Sequence, residues 1–189
     1  KKNLKAIRRM VGLVFQDPDD QLFMPTVFED VAFGPLNLGL DEETVKICVD
    51  KALAKVDMRD KADRFSYHLS FGEKKRISIA TVLSMNPEIL ILDEPTGNLD
   101  HKHRRNLINL LKELRLTKII ATHDLDLVLE ICARVVLLDN GKIVADGNTL
   151  TILRNKELLE AHNLEVPPSF VIFSLLQSCL TPPLVNGRG

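Results

Sequence analysis

The chain has 189 residues, 45% of them hydrophobic, enough to bury roughly 70% of the surface of its unfolded form without a disulfide or metal staple. A net charge of −1 argues against a protein held mainly by nucleic-acid phosphates or anionic lipid. Cys48, Cys132 and Cys179 are dispersed, with no C-x-x-C pair, which argues against a disulfide framework and fits a reducing cytosolic compartment.

Lys1-Lys2-Asn3 lacks an initiator methionine and leads within a few residues into Val11-Gly12-Leu13-Val14-Phe15. The sequence is therefore expected to begin inside a longer protein, and the apolar run to be a buried strand ending at the breaker cluster Gln16-Asp17-Pro18-Asp19-Asp20. Thr26-Val27-Phe28-Glu29 has capping-box spacing and predicts a helix start. Asp41 is the expected cap of a second helix, with Val45, Cys48, Ala52 and Val56 on its apolar face. These elements form a helical insertion over about residues 26–68, extending to 85 with the next helix, which the capping box Ser70-Phe71-Gly72-Glu73 opens.

Ile89-Leu90-Ile91-Leu92 is continuously apolar, the pattern of a parallel strand covered on both faces. A helix capped by Asp100 and a strand at Lys118-Ile119-Ile120-Ala121 continue the α/β alternation, and a short helix over 125–133 follows. Asp139-Asn140-Gly141 predicts a hairpin between Val135–Leu138 and Lys142–Ala145, because both central residues accept positive φ. Two short helical stretches precede Pro167-Pro168. The apolar run from Phe170 to Leu180 is far short of the ~20 residues that span a bilayer.

The strand ending in Asp93-Glu94 sets two carboxylates at the carboxyl edge of a parallel sheet, where open α/β folds take ligands. One can hold Mg²⁺, directly or through water, and the other can orient a water for attack on phosphorus. A solvated turn would explain this pair alone equally well. Leu69-Ser70-Phe71-Gly72-Glu73 is a helix N-terminus suited to phosphate, although by itself a good N-cap explains it better. What makes the set specific is its order: Gln16, this cap, Asp93-Glu94 about twenty residues on, Gly97-Asn98-Leu99-Asp100, and His123 just past the next strand.

On these motifs residues 3–168 resemble the nucleotide-binding subunits of ABC transporters. Gln16 matches the Q-loop, Leu69–Glu73 the signature, Ile89–Glu94 the Walker B strand, Gly97–Asp100 the D-loop and His123 the switch histidine. The stretches 16–23, 30–35 and 122–128 resemble the energy-coupling-factor importers of cobalt, nickel and vitamins. The resemblance implies a P-loop NTPase-type, mainly parallel sheet flanked by helices, with an inserted helical subdomain (about 26–85) and a C-terminal antiparallel hairpin. It implies an ABC ATPase domain over 1–168 that lacks its N-terminal part, followed by a tail, 169–189.

It further implies ATP and Mg²⁺ as cofactors, with Glu94 and His123 catalytic. Gln16, Ser70, Gly72 and Asp100 would contact nucleotide, and Asp93 and Gln16 the metal. Two such subunits would sandwich two ATP molecules at the cytoplasmic face of the membrane, each signature facing the other subunit's γ-phosphate. The region after Gln16 would grip a transmembrane coupling protein, and a separate membrane component would select the substrate.

The glycine-lysine phosphate loop and the adenine-stacking aromatic of such subunits are expected to precede Lys1, so this stretch alone is expected to be inactive. Phe71 and Glu73 stand where the common signature has glycine and glutamine. Two rival readings are a soluble ABC ATPase acting on nucleic acid or ribosomes, which would carry a long coiled-coil insertion or second cassette, and a non-catalytic module. Asp17, Asp19 and Asp20 resemble part of a calcium loop without its glycine and glutamate. His101 and His103 are expected to be solvated, their i, i+2 spacing placing them on different helix faces. Cys48 and Cys132 are expected in the core.

Overall fold

In a computed structural model, which describes residues 3–170, the chain divides into two compact units after His123. The first contains α1 (Leu4–Met10), β1 (Val11–Val14), α2 (Val27–Asn37), α3 (Glu42–Lys55), α4 (Phe71–Leu83), β2 (Ile89–Asp93), α5 (His101–Glu113) and β3 (Thr117–Ala121). The second contains α6 (Leu125–Ile131), β4 (Arg134–Asp139), β5 (Lys142–Asn148), α7 (Thr149–Arg154) and α8 (Lys156–Ala161).

In the first unit the strands form a parallel sheet in the order β1-β2-β3, with Val14 opposite Leu92 and Leu92 opposite Ile120. The row containing Val14, Leu90 and Leu92 is buried. Helix α4 lies so close to this face that a Cβ on Gly12 would fall 2.0 Å from Val82 Cγ1, so only glycine fits there. Coverage of the second face is partial: Ile89 and Ile91 of β2 are half-buried, while Leu13 and Ile119 on the neighbouring strands are 44% and 54% exposed.

Both predicted capping boxes form. Thr26 accepts from Glu29 N while Glu29 receives Thr26 N, and Ser70 and Glu73 repeat the exchange at α4. This pairs two otherwise orphan amides at each helix start. Asp41 caps α3 as expected, but the buried stripe runs through Val45, Val49, Ala52 and Leu53, and Cys48 is only half-buried. Helix α1, directly ahead of β1, was not expected from the sequence.

In the second unit Asn140 and Gly141 adopt φ of 47° and 73°, and Asp139 pairs with Lys142 around them, the two-residue hairpin their sequence predicts. Arg134 grips Asp146 through two hydrogen bonds, 2.8 and 2.7 Å, and this bond holds the Asp146 carboxyl below its ordinary value. Val128, Leu153 and Leu159 form the unit's core, with Cys132 half-buried at its edge. The tail from 171 onward, with Cys179, lies outside the described residues.

Candidate functional site

Asp93 and Glu94 end the middle strand of the parallel sheet. Asp93 is the last paired residue of β2, opposite Ala121, and is exposed at the sheet's carboxyl edge. Glu94 turns the chain there with a φ of +38°, a left-handed conformation that costs a non-glycine residue of order 1 kcal/mol or more. Its amide donates to Ala121 O at 2.9 Å.

The Glu94 carboxylate is held from the next strand. Thr122 Oγ1 donates to Oε2 at 2.9 Å, while Oε1 receives the His123 amide at 3.0 Å and lies 2.7 Å from His123 Nδ1. An ionised carboxylate offers about four lone-pair sites, so three contacts leave room for a water. Against an ionised Glu94, Nδ1 is the protonated nitrogen, and the imidazole is otherwise open, 80% exposed.

A second cluster joins the signature segment to the D-loop segment. Ser70, exposed, caps α4 by accepting from Glu73 N at 3.3 Å. Glu73 receives Ser70 N at 2.9 Å, and this bond holds its carboxyl below the ordinary value against the opposing effect of burial. Glu73 thus serves the capping box. Gly72, buried in the first turn, lies under the His103 ring, and an added Cβ would be 2.4 Å from His103 Cδ2.

Asp100 caps α5 by accepting from His103 N at 2.8 Å and lies 2.7 Å from His103 Nδ1. The backbone bond from His103, then the side-chain one, hold the Asp100 carboxyl below its ordinary value. His103 is therefore not a solvated surface residue: its ring fills the space left by the missing side chain of Gly72. His101 is exposed.

Gln16, exposed, begins the loop after β1, next to the carboxyl end of β2. The acidic residues that follow are engaged locally. Asp17 accepts from Asp19 N, and Asp19 pairs with Lys74 at 2.6 Å. Among the described residues no group of three or more His, Cys, Asp or Glu side chains is arranged to hold a metal.

Two residues missed in the sequence organise this region. Lys75 is fully buried, with its ammonium 3.1 Å from Phe15 O and 2.7 Å from Gln16 O. Burial pushes its pKa down, while Asp17, Asp93 and Glu94 pull it up. Its sequence signal was a lysine on the stripe Gly72, Lys75, Ile79, Val82, which is otherwise without charge. Asp30, buried, accepts from Phe23 N and Met24 N at 2.9 Å and from Ser66 Oγ, which fixes the turn presenting Phe23. Phe23, 62% exposed, meets Phe33 edge-on at 4.9 Å. Beside them a cavity of about 800 Å³ is lined by Phe15, Gln21, Phe33, Asn37 and Met85, among others.

The ABC transporter family profile matches residues 1–97. A putative ABC transporter ATP-binding protein of Gloeobacter violaceus is 55% identical over 168 residues, covering 88% of this chain and 69% of that protein. One from Streptomyces coelicolor is 52% identical over 90% of this chain and 65% of its own length, so the chain spans about two thirds of these relatives. An energy-coupling factor transporter ATP-binding protein of Carboxydothermus hydrogenoformans is 46% identical over 96% of this chain and 68% of its own. Among solved structures, CbiO1 of Clostridium perfringens, described as part of the ABC transporter complex CbiONQ, is 40% identical with a TM-score of 0.75, covering 94% of this chain and 71% of that one.

Proposed function

The chain belongs to the ABC transporter ATP-binding family, and on that premise we propose that it is the part of an ATP-hydrolysing subunit that carries the catalytic carboxylate and the signature of an energy-coupling-factor-type importer. The observation that carries this reading is the Glu94 carboxylate, fixed by Thr122 and His123 beside the exposed Asp93 at the end of a parallel strand. Mg-ATP is the substrate. Asp93 anchors the water shell of the Mg²⁺ that comes with it. Glu94 orients the attacking water through its remaining lone pair, His123 meets the γ-phosphate, and Gln16 senses it at the neighbouring strand end. Ser70 and Gly72 face the nucleotide of a second ATPase subunit, and the D-loop around Asp100 lies against that same signature.

The loop after Gln16, with exposed Phe23 and the adjoining cavity, grips a transmembrane coupling protein from the cytoplasmic face of the membrane. No helix among the described residues is long and apolar enough to cross a membrane itself. The cargo class we assign is a small metal ion or vitamin, cobalt and nickel included, selected by a separate membrane component.

The test is Glu94→Gln in the complete ATPase. If general-base catalysis contributes about 10²–10⁴-fold, hydrolysis falls by that factor, roughly 3–5 kcal/mol of transition-state stabilisation, while ATP is retained. Asp93→Asn instead weakens the Mg²⁺ dependence. Near-normal turnover in Glu94→Gln would refute the assignment.

A further inference from the structure

We propose that Lys75 is a positioning residue that locks the loop after β1 to α4, so that displacement of the loop by a membrane partner is delivered to the α4 N-terminus at Ser70 and Gly72. The coupling role rests on the function proposed above, whereas the tie itself rests on the geometry of this chain.

The ladder between β1 and β2 ends at Val14 and Leu92. The next two carbonyls, Phe15 O and Gln16 O, receive the Lys75 ammonium instead. An ammonium is costly to bury, and an apolar side chain of similar length would fill the slot. What the lysine adds is donors, and they grip the backbone where the loop begins. Two further ties follow along the same segment. Lys74 Nζ is 2.6 Å from Asp19 Oδ1, and Gln21 Nε2 donates to Ser78 O and Thr81 Oγ1 at 2.8 Å while its Oε1 receives Phe15 N at 3.0 Å.

On α4 the contacts fall at residues 74, 75, 78 and 81, the adjacent pair 74 and 75 being followed at helical spacing by 78 and 81 along one side. On the loop they fall at residues 15, 16, 19 and 21. Lys75 is fully buried and donates to the loop backbone itself, so loop side chains can vary without releasing it. Helix α4 runs unbroken from its Ser70 cap to Leu83, and a helix held at 75 and 78 shifts its first turn whenever the loop shifts.

The experiment compares Lys75→Met, which keeps the length and removes the donors, with Ile79→Val, a buried change in the same helix that leaves the ties intact. Both are made in the complete ATPase assembled with its membrane partner. The readout is the ratio of partner-stimulated to partner-free ATP hydrolysis. The ratio should fall about tenfold in Lys75→Met, within the usual span of coupling between sites, and stay at the wild-type value in Ile79→Val. An unchanged ratio in Lys75→Met, or an equal fall in both, overturns the proposal.

Should Lys75→Met fail to fold, Asp19→Cys/Lys74→Cys joined by a short bis-maleimide tests the same claim. A loop and helix that move together keep stimulated hydrolysis when cross-linked, and abolition by the linker overturns it. Absence of hydrolysis in the wild-type assembly would refute the proposed function instead. The tie is then read in the full chain by hydrogen exchange at the amides of Asp20, Gln21 and Leu22, which bond within the loop. Exchange there should be about tenfold faster in Lys75→Met, and unchanged exchange overturns the tie.

Discussion

At the end of β2, Glu94 is held by three hydrogen bonds from Thr122 and His123, and His123 is four-fifths exposed. One strand away, the loop after β1 is fastened by a fully buried lysine and by Gln21 reaching into α4. The first arrangement holds a carboxylate in one orientation and leaves the imidazole against it open to solvent, which suits the chemistry proposed above. The second removes freedom from a segment that presents Phe23 on its far side, as transmission of force requires. The two regions share a sheet edge, and the difference lies in which polar atoms are left for outside partners.

The largest effect on stability is expected from Asp30→Ala. It strips Phe23 N, Met24 N and Ser66 Oγ of their buried acceptor, and unpaired buried groups of this kind cost about 2–3 kcal/mol together where water reaches some of them. Thermal or denaturant unfolding measures this, and a loss within experimental error would show that the turn does not depend on Asp30. Gly72→Ala drives a Cβ into the His103 ring and should cost about 1–2 kcal/mol by overpacking. Adding His103→Ala should recover most of it, and an additive double mutant would show that the two residues do not share the contact.

At the end of β2, where the catalytic role is proposed, Thr122→Val removes one donor to Glu94. Turnover should fall about fivefold, ~1 kcal/mol, with the unfolding curve little changed. A change in stability without one in turnover would move Thr122 from site to scaffold. The smallest effect concerns acid. Glu73 has its carboxyl below its ordinary 4.5 in the folded chain, so its contribution to stability is complete above that value. That contribution is lost as pH falls below 4.5 through the folded pKa. Glu73→Gln should flatten this limb of the stability curve, and an unaltered limb would contradict the capping role.

Much of this was legible because local rules suffice: the capping boxes at Thr26 and Ser70, the Asn140-Gly141 turn and the strand ending at Asp93-Glu94 are each set by residues within four positions of one another. The order of Gln16, the signature, Asp93-Glu94, Asp100 and His123 then carried the family. Long-range pairings were not legible. Lys75 was not singled out, because its acceptors are backbone carbonyls about sixty residues earlier. Asp30 is buried by donors from both sides of it in sequence, and His103 by a glycine on another helix. Val49 replaced Cys48 on the α3 stripe because both fit a helical period and only packing chooses between them. The apolar run of β2 does not say how far its second face is covered: Ile91 is half-buried between the exposed Leu13 and Ile119.

The division of labour between the two regions is tested most directly by one paired measurement. Glu94→Gln and Phe23→Asp are compared for ATP turnover and for co-purification with the membrane partner. Glu94→Gln should lose about 10²–10⁴-fold in turnover and keep the partner, whereas Phe23→Asp should lose the partner and still bind ATP. Near-normal turnover in Glu94→Gln, or undiminished partner binding in Phe23→Asp, would contradict it.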